Sequence, residues 1–354
     1  MPTTLPTPAA TPASASAPAP GLAMRAVVQD RYGSADVLEL TTVPRPQIGA
    51  GQVLVEVHAA GVDRGTWHVL TGMPYIARLA GIGFRRPKVR TPGLDVAGRV
   101  VAVGEDVERF AVGDEVFGIA AGSFAEYAVA DEVKLAHRPA EVPVEHAAVA
   151  AVSGITALQA LTDVGRLQAG QRVLVIGASG GVGTYSVQLA KALGARVIAA
   201  ASSADKRAAL ERLYAPDAVI DGAPGFRDAV KTLAGGQGAD VIVDPVGGDI
   251  FDESMRCIAF GGRLLVVGFA SGRIPELSAN MPLIKGFSVV GVRAGEYGRR
   301  FPEHGAENVA AVDALAADGR IRPHVHAALD LADWCDGLAM LEQREVVGKV
   351  VLRP

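Results

Sequence analysis

Cysteine is nearly absent from this 354-residue chain, with Cys257 and Cys335 the only two. Two distant thiols are too few for a disulfide framework or a four-cysteine zinc lobe, and they suit a reducing cytoplasm. No charge of one sign dominates: 34 Lys and Arg stand against 38 Asp and Glu, a net of -4. That balance offers no basic field to a polyanion, so nucleic acid is not an expected partner. Long apolar runs are missing as well. Val173 to Ala190 is the longest uncharged stretch of the body, yet Gly177, Gly180, Gly181 and Gly183 interrupt its middle, which favours a loop over a membrane span. Met1 to Ala23 contain neither charge nor aromatic, so they cannot bury enough apolar surface to offset their ordering entropy. They read as a disordered tail without the basic start of a secretion signal or the arginines of a mitochondrial presequence, and Met24 is a second candidate start.

What is present has two grammars. The length predicts two domains. Short alternating strands punctuated by glycine and proline come first: Arg25 to Gln29, Val37 to Thr42, Gln52 to Ala60, Val96 to Val103, Glu115 to Ile119 and Phe124 to Val129. Their spacing suits a small barrel. Near Pro143 the pattern changes. An alanine-rich helical stretch, Glu145 to Leu161, opens a doubly wound α/β unit with strands at 172–176, 196–201, 218–220, 241–244, 263–267 and 287–292. After Gly295 a helix over 302–317 and a strand over 346–352 return toward the barrel. The expected division is a tail at 1–23, a first domain at 24–144 completed by 296–354, and a nucleotide domain at 145–295.

The strand over 172–176 runs into Gly177-Ala178-Ser179-Gly180-Gly181-Val182-Gly183, which opens a helix over 182–193. Gly177 permits a tight turn, Gly180 and Gly181 admit a pyrophosphate close to the backbone, and Gly183 lets the helix approach the sheet. An acid at the end of the next strand would bind a free ribose 2′-hydroxyl and repel a 2′-phosphate. Here the strand ends Ala201-Ser202-Ser203-Ala204-Asp205-Lys206-Arg207, two hydroxyls followed by two cations, which favours NADPH over NADH. Loss of Lys206 is expected to cost about 1.5 to 3 kcal/mol, roughly ten- to a hundredfold in NADPH affinity.

From Met24 to Leu352 the chain resembles the zinc-free quinone oxidoreductase-like branch of the medium-chain dehydrogenase/reductase superfamily. The resemblance is carried by Gly170 through Gln188 and Lys191, and by Gly61-Val62-Asp63, Pro92-Gly93-Leu94-Asp95-Val96-Ala97-Gly98, Gly113-Asp114-Glu115-Val116, Gly122-Ser123-Phe124-Ala125-Glu126-Tyr127, Gly154-Ile155-Thr156-Ala157 and Gly348-Lys349-Val350-Val351. It implies an α/β protein with a GroES-like β-barrel catalytic domain and a Rossmann doubly wound parallel-sheet domain. It also implies a cleft for the nicotinamide and a homodimer joined along Phe287 to Val292. Thr156, Gly247, Gly268 and Phe269 would line the nicotinamide half, and Lys349 would reach the phosphates. Two departures stand out: Gly222 replaces a tyrosine common in relatives, and Tyr214-Ala215-Pro216 replaces a Leu-Gly-Ala turn.

Zinc-dependent relatives carry a cysteine where this chain has Asp63 and a His-Glu pair where it has Leu94-Asp95, so no metal is expected. Without a Lewis acid the substrate is expected to be a quinone or an enone, whose reduced anion hydrogen bonds alone stabilise. Asp63, His68 and Tyr75 are the candidate catalytic side chains, with His68 as a solvent-linked proton donor. Trp67 and Phe84 form a candidate apolar substrate wall, and Arg85, Arg86, Lys88 and Arg90 a candidate guide for an anionic thioester. A trans-acting enoyl-thioester reductase and a non-catalytic NADPH-binding protein are the alternatives.

Overall fold

The computed structural model describes residues 22–354 except 74, 76–77 and 79–81. The expected tail thus lies outside the described residues up to position 21. Its last residue is already in β1 (Ala23–Gln29), which pairs along its length with β2 (Leu38–Pro44).

The barrel strands β3 (Gln52–Val62), β4 (Asp95–Val103), β5 (Glu115–Ile119), β6 (Tyr127–Asp131) and β7 (Leu135–His137) follow. Val53, Val55 and Val57 alternate along β3 and are all buried, the period-2 signature of a strand with one face on a core. β6 starts three residues later than its pattern suggests, because Phe124 belongs to a tight crossing in which it donates to Pro92 and accepts from Val27.

Six parallel strands come next: β8 (Arg172–Ile176), β9 (Arg196–Ala201), β10 (Ala218–Asp221), β11 (Ala239–Asp244), β12 (Ile258–Val266) and β13 (Ser288–Gly291). Their order is β10-β9-β8-β11-β12-β13, reversing direction between β8 and β11. Helices cover both faces, so β8 is apolar throughout its buried run from Val173 to Ile176. In such a sheet the crevice beyond the carboxyl ends at the reversal is where ligands bind. The turns after β8 and β11 meet there.

The chain then returns to the first sheet. β14 (Val325–Asp330) and β15 (Lys349–Arg353) extend it in the order β14-β15-β3-β4-β5-β7, with β6 also on β3. Register decides what this brings together: Val350 stands opposite Val62, and Gly61 opposite Asp95. Lys349, Asp63 and Asp95, far apart in sequence, therefore converge at one end of three adjacent strands.

The expected helix over 145–161 is instead broken into Val144–Ala147, Ala151–Gln159 and a wider π turn at Ala160–Val164. The cause lies in competing partners. The Val149 carbonyl accepts the buried Tyr185 hydroxyl at 3.0 Å, and the Val152 amide donates to Asp95 at 2.8 Å, so neither completes a helical ladder. The helix Pro302–Ala317 spans its expected residues.

Candidate functional site

The glycine turn after β8 is built for close approach. Gly177 adopts φ +59°, and a Cβ on Gly183 would lie 2.2 Å from the Gly177 carbonyl oxygen, a contact only glycine avoids. The helix Gly181–Ala192 begins with Gly180 as its N-cap and no side-chain cap. Its first-turn amides are left for an anion. Ala178 and Ser179 are buried beside them, while Val182 is half-buried on the first turn.

Beneath this turn lies a buried charged trio. Lys349 is 3% exposed, Asp95 0% and Asp63 8%. The Lys349 ammonium donates to Asp95 and stands 3.8 Å from Asp63 Oδ2. Asp95 Oδ1 accepts from the Val152 amide. Asp63 caps the helix Arg64–Thr71, its Oδ1 accepting from the Thr66 amide at 2.7 Å. Burial pushes the Asp95 carboxyl up to about 6 despite the ammonium beside it. For Lys349 burial pulls the other way, but the two carboxylates outweigh it and hold the amine above its ordinary value. Lys349 was expected at the phosphates; here its ammonium points into the barrel, and its stem passes against Gly181.

A second cluster sits past the end of β9. Ser203 caps the helix Ala204–Tyr214, accepting from the Lys206 amide at 3.3 Å, and Ser202 is exposed next to it. The Lys206 ammonium donates to the Arg344 carbonyl. Burial first, then the positive charge of Arg344, pulls the Lys206 amine below its ordinary value. Arg64 is lowered by the same two influences. Arg64 and Lys206 thus both lie close to Arg344, with Glu342 beside the first and Glu345 beside the second, three cations to two carboxylates, a small excess of positive charge suited to a phosphate. Arg207, expected to share that role, is committed elsewhere: it binds Asp221 at 3.1 Å and the Ala201 carbonyl at 3.2 Å. Arg344 escaped sequence reasoning because it lies 138 residues from Lys206.

Comparison with known proteins agrees with this architecture. Residues 49–140 match the family described as alcohol dehydrogenase GroES-like domain, and residues 181–312 that described as zinc-binding dehydrogenase. A quinone oxidoreductase-like protein 2 homolog from Nematostella vectensis is 33% identical over 93% of this chain and 88% of its own. The chain belongs to the medium-chain dehydrogenase/reductase superfamily, in its quinone oxidoreductase-like branch. It is an oxidoreductase of that family, with a nicotinamide cofactor site. A mycobacterial protein solved in complex with NADPH superposes with a TM-score of 0.84 at 32% identity, covering 94% of this chain and 100% of that one. A polyketide synthase system protein from Streptomyces orinoci is 33% identical over 95% of this chain, which spans 15% of that relative.

In this member of the superfamily the turn after β11 faces the glycine turn. Asp244, 1% exposed, accepts from the Val246 and Gly247 amides at 2.8 and 2.9 Å and so shapes it. A Cβ on Gly247 would lie 3.1 Å from the Phe269 ring, and one on Gly268 3.3 Å from the Pro245 carbonyl, so Gly247, Gly268 and Phe269 form one wall. Thr156 bonds back to the Val152 carbonyl at 2.7 Å on the helix that Asp95 anchors.

The acceptor-side candidates are less gathered. His68 Nδ1 meets the Met73 carbonyl at 2.7 Å, and its ring stands edge-on to Trp67. The Trp67 indole donates to Glu342 at 3.2 Å, tying its helix to the helix Trp334–Glu342. Tyr75 and Phe84 are 67% and 68% exposed. Part of the Thr71 to Arg90 segment lies outside the described residues. Arg90 is held by Asp30 at 2.6 Å, leaving Arg85, Arg86 and Lys88 as exposed cations with no ion pair among the described residues.

Proposed function

We propose that the protein transfers a hydride from NADPH to a quinone or an α,β-unsaturated carbonyl without zinc. The observation that carries this reading is an uncapped glycine cradle joined to the Arg64, Lys206 and Arg344 cluster at a strand end that lacks an acid. Gly177 to Gly183 hold the diphosphate; Ser202, Ser203, Lys206 and Arg344 hold the adenosine-side phosphate. Thr156, Gly247, Gly268 and Phe269 line the nicotinamide. The bound cofactor supplies the hydride.

The donor set does not suit a zinc ion. A cation already serves Asp63 and Asp95, namely the Lys349 ammonium, and Leu94 offers no donor atom. A reduced quinone or enone needs only hydrogen bonds and one proton. With its Nδ1 proton donated to the Met73 carbonyl, His68 would hand a proton to the product from Nε2. Tyr75 is the other donor in this reading, while Asp63 acts by fixing the helix that carries His68.

The working form is a cytoplasmic homodimer joined along β13. Among the described residues that strand is paired on one side alone, and both cysteines are free thiols.

The test is initial-rate oxidation of NADPH and NADH by chelator-treated wild type and Lys206→Ala, against quinones, short enones, aliphatic ketones and an enoyl-CoA. Quinone or enone turnover with NADPH preferred, and a ten- to hundredfold weaker NADPH affinity in the variant, is expected. The polyketide synthase relative and the exposed Arg85, Arg86 and Lys88 favour a second reading, an enoyl-thioester reductase, which activity confined to enoyl-CoA would establish. NADPH binding without turnover of any acceptor would leave a binding protein instead.

A further inference from the structure

We propose that Lys349 is a positioning residue that couples the glycine cradle to the acceptor-side helix Arg64–Thr71, through Asp95 and Asp63. The inference rests on the cofactor reading above. Each end of the coupling is a contact. At the cradle, the Gly348 amide donates to the Ser179 carbonyl at 2.8 Å, and Gly348 adopts φ +75° with room for no Cβ against the His324 carbonyl. A Cβ on Gly181 would lie 3.3 Å from Lys349 Cγ and 2.9 Å from Ser153 Oγ, so the lysine stem runs along the first turn where a diphosphate would sit. At the other end the ammonium reaches Asp95 and Asp63. Asp63 Oδ1 caps the helix bearing Trp67 and His68, and its buried Oδ2 has no hydrogen-bond partner; the ammonium 3.8 Å away is its only counter-charge among the described residues. Asp95 in turn anchors the Val152 amide, at the start of the helix that carries Thr156.

A purely structural role is a poor explanation. Buried ion pairs are generally replaceable by apolar groups of similar volume without loss of stability, and a trio with two carboxylates for one ammonium is less favourable still. What the trio supplies and apolar packing does not is a directional link from the cradle to the Asp63 cap.

The test compares wild type, Lys349→Arg, Lys349→Met and the charge-balanced double variant Lys349→Met/Asp95→Asn. Trp67 is half-exposed and Trp334 is 7% exposed, so acrylamide quenching of tryptophan fluorescence reports chiefly on Trp67. Saturating NADP+ is expected to lower the quenching constant at least twofold in wild type and to leave it unchanged in the double variant, with that variant's cooperative melting checked separately to show that it is folded. Its kcat for a quinone should fall tenfold or more, with KM for NADPH changed less than threefold, and Lys349→Arg should recover part of the loss. Full NADP+ protection or wild-type kcat in the double variant overturns the proposal. The quenching needs no acceptor: wild type that shows protection but reduces no quinone or enone sinks the functional reading alone, whereas wild type that binds no NADP+ sinks both.

Discussion

At the scale of single residues, the informative features are charges in apolar places. Asp95 stands in Leu94-Asp95-Val96-Ala97, where a strand buried on both faces would otherwise be wholly apolar. The sequence motif marked the position, but its partner is 254 residues away and only the strand register reveals it. The consequence is measurable. Its folded carboxyl is pushed up to about 6, above the ordinary aspartate range, so the folded state holds a proton that the unfolded state has released. Folding therefore takes up a proton between about pH 4 and 6, and this group's contribution to stability falls as pH rises through that window, by at most about 3 kcal/mol. Lys349, also raised, keeps its contribution until the alkaline range. We expect the unfolding free energy of wild type, measured against Asp95→Asn by urea titration, to improve on going from pH 7 to pH 5. A difference between the two that stays flat from pH 4 to 7 would show that Asp95 does not hold the proton.

At the scale of elements, most strands and the glycine turn were legible, because buried parallel strands and alternating barrel strands leave strong periodic patterns. Breaks in elements were not. The interruption near Val149 comes from the Tyr185 hydroxyl and the Asp95 carboxylate, tertiary partners that no local window contains. β12 likewise begins at Ile258, ahead of its expected start at Arg263, because Phe260-Gly261-Gly262 adds an irregular turn to the strand, with Gly261 at φ +74°. The Tyr214-Ala215-Pro216 departure has a sharper meaning in the structure. Ala215 closes the helix Ala204–Tyr214 in the left-handed region at φ +42°, ψ +60°, and Lys191 Nζ donates to the carbonyls of Tyr214 and Ala215. The cap is kept, but alanine carries a Cβ in a conformation that favours glycine, a strain of about 1 kcal/mol. Ala215→Gly should therefore raise the melting temperature by about 1 to 3 °C, with cofactor affinity unchanged. A lower melting temperature would mean that the entropy of the unfolded glycine outweighs the relieved strain.

At the scale of the whole molecule, the outer edge of β13 has no partner strand among the described residues. The β13 edge of the six-stranded sheet carries Ser288-Val289-Val290-Gly291 with no lysine or proline to discourage pairing. Phe260, Leu283 and Ile284 beside it are 88%, 83% and 73% exposed. An unguarded edge bordered by large apolar side chains is costly to leave in water and is a natural place for a second copy to add its own edge strand. Pairing there is self-complementary, since each copy offers the same strand across a two-fold axis, so it closes at two chains and does not propagate. Light scattering after gel filtration should thus give twice the chain mass for wild type. Phe260→Glu/Ile284→Glu should give a folded monomer, because the carboxylates of the two copies would be buried across the axis with no counter-charge. A monomeric wild type would mean that this face stays exposed or serves another partner; a dimeric double variant would move the contact to another surface.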